Sequence, residues 1–130
     1  MGHIGVDIIK VSRLKSLYEK WGIRFLRRIF TEKELEICKS EKNDYYFNSL
    51  AGRYAMKEAC IKVICHDEPL SLINFEILSG NKKQPIINLQ GKANEVCYEK
   101  NIQLTGSISH DDGRAIAVVM SLNLNKEGVF

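Results

Sequence analysis

The segment Leu50-Ala51-Gly52-Arg53-Tyr54-Ala55-Met56-Lys57-Glu58-Ala59-Cys60-Ile61-Lys62 sets charged side chains among small ones. On a helix, Ala51, Ala55, Glu58 and Lys62 fall along one stripe, because residues three and four apart share a face. Small residues there let another backbone or a ligand come close, with Glu58 projecting beyond them and Lys62 following it. Arg53 and Lys57 lie on a neighbouring face. The plainest reading is a solvated helix with a Glu58–Lys62 surface pair, worth roughly a few tenths of a kcal/mol. The sharper reading is a carboxylate that holds a hard cation while lysine and arginine gather phosphate oxygens. Mg²⁺ takes one or two carboxylates, with waters and substrate phosphates completing its shell.

Asp7 is the natural second carboxylate. It stands among Ile4, Val6, Ile8 and Ile9, where an acid is expensive unless it is exposed or compensated. It could equally face solvent or cap the helix that begins near Val11. A third cluster, Gly106-Ser107-Ile108-Ser109-His110-Asp111, reads as a strand running into a turn. Adjacent Ser109 and His110 do not make a hydrolytic triad, and no nucleophile-elbow pattern surrounds them.

These residues need elements to position them. His3 to Lys10 alternates as a strand, with Ile4, Val6 and Ile8 on one side and Asp7 on the other. From Val11 the period turns helical through Leu14, Leu17, Tyr18 and Trp21, is interrupted at Gly22, and resumes along Phe25, Leu26, Ile29 and Phe30. Thr31-Glu32-Lys33-Glu34 is a capping box that starts a short helix to about Lys39. A longer helix runs from about Tyr46 to Ile64, with Gly52 as a weak spot, and His66-Asp67-Glu68-Pro69 ends it. Asn74–Ser79 and Pro85–Leu89 read as paired strands around a Gly80-Asn81-Lys82-Lys83 turn. Gly91–Lys100 reads as a helix. Gln103–His110 and Ala115–Leu122 form a hairpin about Asp112-Gly113. Asn123 to Phe130 has no period. The order specifies an α+β domain, one domain over residues 1–130.

Composition narrows the class. A hydrophobic fraction of 45% with 27% charged residues excludes a disordered tail or a fibre. The net charge of +3, from 19 basic and 16 acidic residues, is smaller than nucleic-acid-binding domains commonly carry and suits an acidic partner or a phosphorylated ligand. Cys38, Cys60, Cys65 and Cys97 form no C-x-x-C, so reduced, mostly packed thiols are expected. Plain helix-end packing outweighs a metal site built from Cys60, Cys65 and His66. Met1-Gly2-His3-Ile4-Gly5-Val6-Asp7 lacks the pattern of a secretory signal, and no apolar run reaches membrane-spanning length. A cytoplasmic protein with neither a membrane nor a nucleic-acid partner is the expectation.

Taken in order, Gly5-Val6-Asp7-Ile8-Ile9, Phe30-Thr31-Glu32-Lys33-Glu34, the Ala51-to-Ala59 block and Ser107-Ile108-Ser109-His110-Asp111 follow one family's pattern. Over nearly its whole length the chain resembles the holo-[acyl-carrier-protein] synthases, the small bacterial phosphopantetheinyl transferases. The A-G-R-[FY]-A-x-K-E-A block with S-I-S-H downstream is the specific part. The resemblance implies that family's fold, with one long helix packed on a small antiparallel sheet. It implies transfer of phosphopantetheine from coenzyme A to a serine of apo acyl carrier protein, for fatty acid biosynthesis. It also implies a homotrimer with each site between two subunits.

By the same resemblance Asp7 and Glu58 hold Mg²⁺ against the coenzyme A diphosphate, and Lys62 serves the reacting phosphate. Arg53, Lys57, Ser109 and His110 line the coenzyme pocket, and Arg13, Arg24, Arg27 and Arg28 dock the acidic carrier. The base stays open between Glu58, Asp7 and a water on the ion. Two stretches depart from the family's pattern. A Gly-Thr-Gly-like loop is replaced by Val63-Ile64-Cys65-His66-Asp67-Glu68-Pro69, and Gly-Lys-Pro by Lys83-Gln84-Pro85. Two rival functions use overlapping features: a hydrolase of a nucleotide diphosphate with the same carboxylates, and a small basic nucleic-acid-binding module with the arginines.

Overall fold

A computed structural model describes residues 2–124. Strand β1 (Ile4–Lys10) runs directly into helix α1 (Val11–Trp21). Gly22, with φ of 73°, breaks the helix, and α2 (Ile23–Ile29) follows. The Thr31 capping box is complete and starts α3 (Glu32–Cys38). Helix α4 (Phe47–Ile64) is the longest element, at 18 residues. It ends at Cys65 in the left-handed conformation, where glycine is the usual residue. A 3₁₀ turn (Leu72–Asn74) leads to β2 (Phe75–Ser79) and β3 (Pro85–Leu89), then α5 (Gly91–Lys100) and the hairpin β4 (Ile102–Asp111) and β5 (Arg114–Asn123). The hairpin turn has positive φ at both Asp112 and Gly113, the geometry that matches strand twist.

The strands form two antiparallel sheets instead of the one small sheet expected. Strand β5 is central in the order β1-β5-β4, and β2-β3 is a separate ribbon. The chain's first and last strands therefore lie side by side, Ile4 opposite Met120 and Lys10 opposite Arg114. The aperiodic stretch read from Asn123 onward falls mostly at 125–130, outside the described residues. Within the described residues, no helix is long and apolar enough to cross a membrane.

Helix α4 packs across the inner face of the larger sheet, and its Ala51, Ala55, Met56, Ala59 and Cys60 are completely buried. The small residues thus serve backbone approach, not a ligand. A Cβ at Gly5 would be driven into the Ala59 carbonyl oxygen and to 2.7 Å from Val63 Cγ2. A Cβ at Gly52 would sit 3.0 Å from His110 Nε2 and Ile108 Cγ2. Gly52 is therefore a crossing point for β4, and the expected weak spot in the helix is a packing requirement.

The Gly5 contact fixes which face of β1 turns inward. Gly5, Asp7 and Ile9 face α4, and Ile4, Val6 and Ile8 face outward. The apolar alternation that marks β1 as a strand thus lies on the side away from the core. With Ile116, Val118 and Met120 of β5 it forms an uncovered apolar surface, Ile4 being 72% exposed. Helix α1 departs similarly from its sequence pattern: Leu14 is buried, whereas Trp21 is 60% exposed. Asp7 does not cap α1. The Val11 N–H donates to Gly113 O at 2.9 Å, and the cap position is Lys10.

A Gly5→Ala variant is expected to lose about 1–3 kcal/mol of unfolding free energy, because the methyl has no space between strand and helix. Urea titration measures the loss; an unchanged midpoint would show that the strand can retreat from α4 freely.

Candidate functional site

Helix α4 crosses the sheet diagonally, meeting β4 near its start at Gly52 and β1 near its end at Ala59 and Val63. The candidate residues therefore separate into two groups. Arg53 and Lys62 are nine residues apart on α4, about 13 Å along the axis. The strands they approach are opposite edges of the three-stranded sheet.

At the β1 edge, Asp7 comes from the strand and Glu58 and Lys62 from α4. Lys62 Nζ lies 3.2 Å from Asp7 Oδ1 and donates to Val6 O at 2.9 Å. The Lys62 partner is thus Asp7 across the strand, where the surface-pair reading placed Glu58. Glu58 is half-buried and accepts a hydrogen bond from Tyr54, one turn earlier. Burial and the neighbouring Glu58 and Asp7 charges push the Tyr54 hydroxyl above the usual tyrosine range, with Arg13 opposing. Asp7, Glu58, Tyr54, Arg13 and Lys62 are therefore one electrostatic cluster. Its donor set is two hard, partly exposed carboxylates, which fits a divalent cation that completes its shell with water and phosphate. The Lys62 ammonium already marks where positive charge is favoured beside Asp7.

At the β4 edge a cleft of about 690 Å³ opens between α4, the β2–β3 ribbon and β4. Arg53 forms part of its wall, donating from Nε to Ile77 O at 2.9 Å and from Nη2 to Ser79 Oγ at 3.0 Å. His110 lines the same cleft, and its Nε2 lies 2.8 Å from Asn48 O. A carbonyl only accepts, so that nitrogen carries the proton. Ser109, the next residue back, points to the opposite face of the sheet, because strand side chains alternate. Ser109 thus joins the outer surface that carries Ile116, its partner on β5.

Lys57 is in neither place. Its side chain is 0% exposed, and its ammonium donates to Glu34 Oε1 at 2.7 Å, Phe75 O at 2.5 Å and Leu72 O at 3.3 Å. All three N–H groups are used, and Lys57 is not among the residues that line the cleft beside Arg53. Burial pulls the ammonium below the usual lysine range against the raising pull of Glu34. Glu34 Oε1 also accepts from Thr31 N, and Oε2 accepts from Ile77 N at 3.0 Å. The peptide groups of Ile77 are thereby held by Glu34 on one side and Arg53 on the other. Burial alone would raise Glu76, but hydrogen bonds from Thr31 and Asn88 and the ammonium groups of Lys33 and Lys57 hold it below the usual range.

The basic surface also divides. Arg24 and Arg28, four residues apart on α2, flank a groove of about 470 Å³ with Trp21 and Phe25. Arg27 points elsewhere and pairs with Glu32 at 3.4 Å. Arg13 stands beside the carboxylate cluster. Helical periodicity alone assigns Trp21 and Phe25 to an apolar face and gives Tyr54 no partner; the fold sets the first two on the groove and Tyr54 beside Glu58. A tryptophan between lysine and glycine at a helix end, with Arg24, Arg27 and Arg28 in the next turns, is the available signal for the first. Cys38, Cys60 and Cys97 are buried free thiols, and burial pushes Cys38 to about 11 and Cys60 to about 12. Among the described residues, no three His, Cys, Asp or Glu side chains gather as a metal site.

Residues 3–119 match the model of a family described as the 4'-phosphopantetheinyl transferase superfamily. The chain is 40% identical over 122 residues to a holo-[acyl-carrier-protein] synthase of Dehalococcoides mccartyi (strain CBDB1), covering 93% of this chain and 98% of the relative. It is 36% identical over 119 residues to the enzyme of that name from Halothermothrix orenii, covering 90% and 94%. A crystal structure of Helicobacter pylori holo-[acyl-carrier-protein] synthase in complex with coenzyme A superposes with a TM-score of 0.79 at 35% identity, covering 92% of this chain and all of that one.

Removing one partner of the Lys57–Glu34 pair leaves a buried charge uncompensated. Lys57→Met is expected to lower unfolding free energy by about 3–5 kcal/mol. Adding Glu34→Gln, which deletes the orphaned charge and keeps an acceptor, should restore part of it in the same urea titration. Equal stability of single and double variants would show that the charge is not what matters there.

Proposed function

The chain belongs to the 4'-phosphopantetheinyl transferase superfamily, among the holo-[acyl-carrier-protein] synthases, and we propose that Asp7, Glu58 and Lys62 are its reacting centre. The enzyme transfers the phosphopantetheine group from coenzyme A to a serine of apo acyl carrier protein. The serine oxygen forms the new bond to phosphorus, the bond joining the two phosphates breaks, and adenosine bisphosphate leaves. What supports the residue assignment is the meeting of Asp7 and Lys62 at 3.2 Å beside Glu58, from segments far apart in the chain.

The chemistry follows from charge. A phosphoryl transfer needs negative charge neutralised on the non-bridging and leaving oxygens. Asp7 and Glu58 would hold Mg²⁺, which supplies that neutralisation on the diphosphate when bound. Lys62, anchored by Asp7 and the Val6 carbonyl, keeps its ammonium at the strand edge, where it can donate to the departing phosphate. Tyr54 stands beside Glu58 and interacts with its carboxylate. The serine proton needs an acceptor, and Asp7 and Glu58 are the carboxylates within reach.

The two edge clusters reach one coenzyme only if neighbouring copies share it. We place the apolar outer face of β1 and β5 between subunits of a homotrimer, so that Asp7, Glu58 and Lys62 of one copy face Arg53 and His110 of the next. Six uncovered aliphatic side chains on that face support this, with Thr105, Ser107 and Ser109 beside them on β4. An apolar patch of that kind marks an interaction surface. Ser109, on the outer face, then meets the coenzyme at the junction. Arg24 and Arg28, with Trp21 and Phe25 between them, offer the acidic carrier both charge and an apolar seat, and Arg13 extends that surface toward the carboxylates. The modified carrier serves fatty acid biosynthesis in the cytoplasm.

Incubation with apo acyl carrier protein, coenzyme A and Mg²⁺ is expected to yield a carrier heavier by one phosphopantetheine in a mass spectrum. Asp7→Ala and Glu58→Ala should each lower kcat/KM by about 100-fold or more. Coenzyme A breakdown without a heavier carrier would instead mark a hydrolase. Val118→Lys, at the centre of the outer face, should convert the trimer to monomers in sedimentation velocity and abolish transfer. A trimer that survives this change would move the interface elsewhere.

A further inference from the structure

The cleft at the β4 edge has five apolar side chains and three basic ones along its wall, and no carboxylate among the described residues that line it. That lining suits an adenine ring with phosphate nearby. Two of the basic groups are already committed. Arg53 is held by Ile77 O and Ser79 Oγ, and His110 by Asn48 O. The third is Lys83, on the β2–β3 turn. It is exposed, and its ammonium has no hydrogen-bond or ion-pair partner among the described residues.

Lys83 also occupies a backbone conformation that does not suit it. Its φ is 63°, in the left-handed region that glycine adopts freely. The turn is held by bonds that any residue at 83 would allow. Lys83 N donates to Gly80 O at 2.9 Å, Gly80 N to Gln84 O at 2.8 Å, and Lys82 N to Gln84 Oε1 at 2.9 Å. The lysine side chain therefore adds nothing to the turn, and its backbone is strained there. What it adds is a free ammonium at the rim of a basic cleft.

We propose that Lys83 is a specificity-determining residue that binds the phosphate monoester on the ribose of coenzyme A. This rests on the coenzyme reading given above. The apolar wall takes the adenosine, Arg53 supplies fixed positive charge behind it, and Lys83 closes on the ribose phosphate from the turn. The residue thus distinguishes coenzyme A from its 3′-dephospho form, which shares the adenosine, diphosphate and pantetheine.

Titration calorimetry with coenzyme A and with 3′-dephospho-coenzyme A tests this on the wild-type protein, Lys83→Gly and Lys83→Arg, beside a thermal melt of each. Lys83→Gly should weaken coenzyme A binding about tenfold, the scale of one charge-assisted hydrogen bond, and leave the dephospho form unchanged. Its melting temperature should stay equal or rise, because glycine relieves the left-handed backbone, so weaker binding cannot be lost folding. Lys83→Arg should keep the preference. Equal weakening for both ligands, no weakening, or no wild-type preference for coenzyme A would each overturn the assignment. Binding is read separately from transfer: a protein that prefers coenzyme A through Lys83 but leaves the carrier unmodified would refute the transferase reading and support this one.

Discussion

Helix α4 lies so close to the sheet that a hydrogen atom at Gly5 is all that the contact admits, a methyl there being driven into the Ala59 carbonyl oxygen. At Gly52 a methyl would sit 3.0 Å from the His110 ring, and at Gly106 it would meet the Val118 carbonyl oxygen of β5 as well as the Met56 methyl at 3.0 Å. This close approach decides where the charged residues end up. It presses β1 against the end of α4, and Asp7 is carried to Lys62 with Gly5 two residues away. It presses β4 against the start of α4, and His110 is carried over Gly52 beside Arg53. Looser packing would separate Lys62 from Asp7 by more than an ion pair can span and would draw His110 away from the cleft wall that Arg53 shares.

The same helix sends its cations to different environments. Lys57 lies on the face turned to α3 and β2 and disappears into the core, where Glu34 and two carbonyl groups replace water. Arg53, one turn earlier, is buried along its stem but keeps the cleft side of its guanidinium available while anchoring Ile77 and Ser79. Lys62 rotates to the solvent side and finds Asp7. Buried charge is tolerated only when fully paired, so Lys57 is structural, and its network rigidifies the ribbon on which the cleft wall depends. Exposed charge can exchange its partner for a ligand, and Lys62 is of that kind, whereas Arg53 stays fixed by Ile77 and Ser79 and offers its charge to the cleft from a buried position.

The larger sheet is asymmetric for a related reason. Its inner face is lined by Gly5, Ile9, Ala115, Ala117 and Val119, which fit beneath a helix at close range. The bulky aliphatic side chains of β1 and β5 are left on the outer face, away from the molecule's own core. A surface of that composition is what a second copy would cover. Under the trimer proposed above, the two clusters at opposite sheet edges would become parts of one site through such a neighbour.

Much was legible along the chain. Alternation and capping marked β1, the Thr31 helix start, α4 and the hairpin about Asp112-Gly113, because these rest on local geometry that neighbouring residues enforce. The residue block around Glu58, with the Ser109–His110 strand, was specific enough to place the family. Other features depended on which face turned inward. Ile4, Val6 and Ile8 share a side by pattern, but only the space beneath α4 sends that side outward. Lys57 and Arg53 look equivalent one turn apart, yet one meets Glu34 from another helix and the other a cleft. Ser109 and His110 are neighbours whose side chains are divided by the pleat. Local sequence determines periods and ends, which are properties of a few residues at a time. Burial, partner choice and the splitting of the charged residues between two edges come from surfaces meeting across long separations in the chain, and the tertiary packing alone decides them.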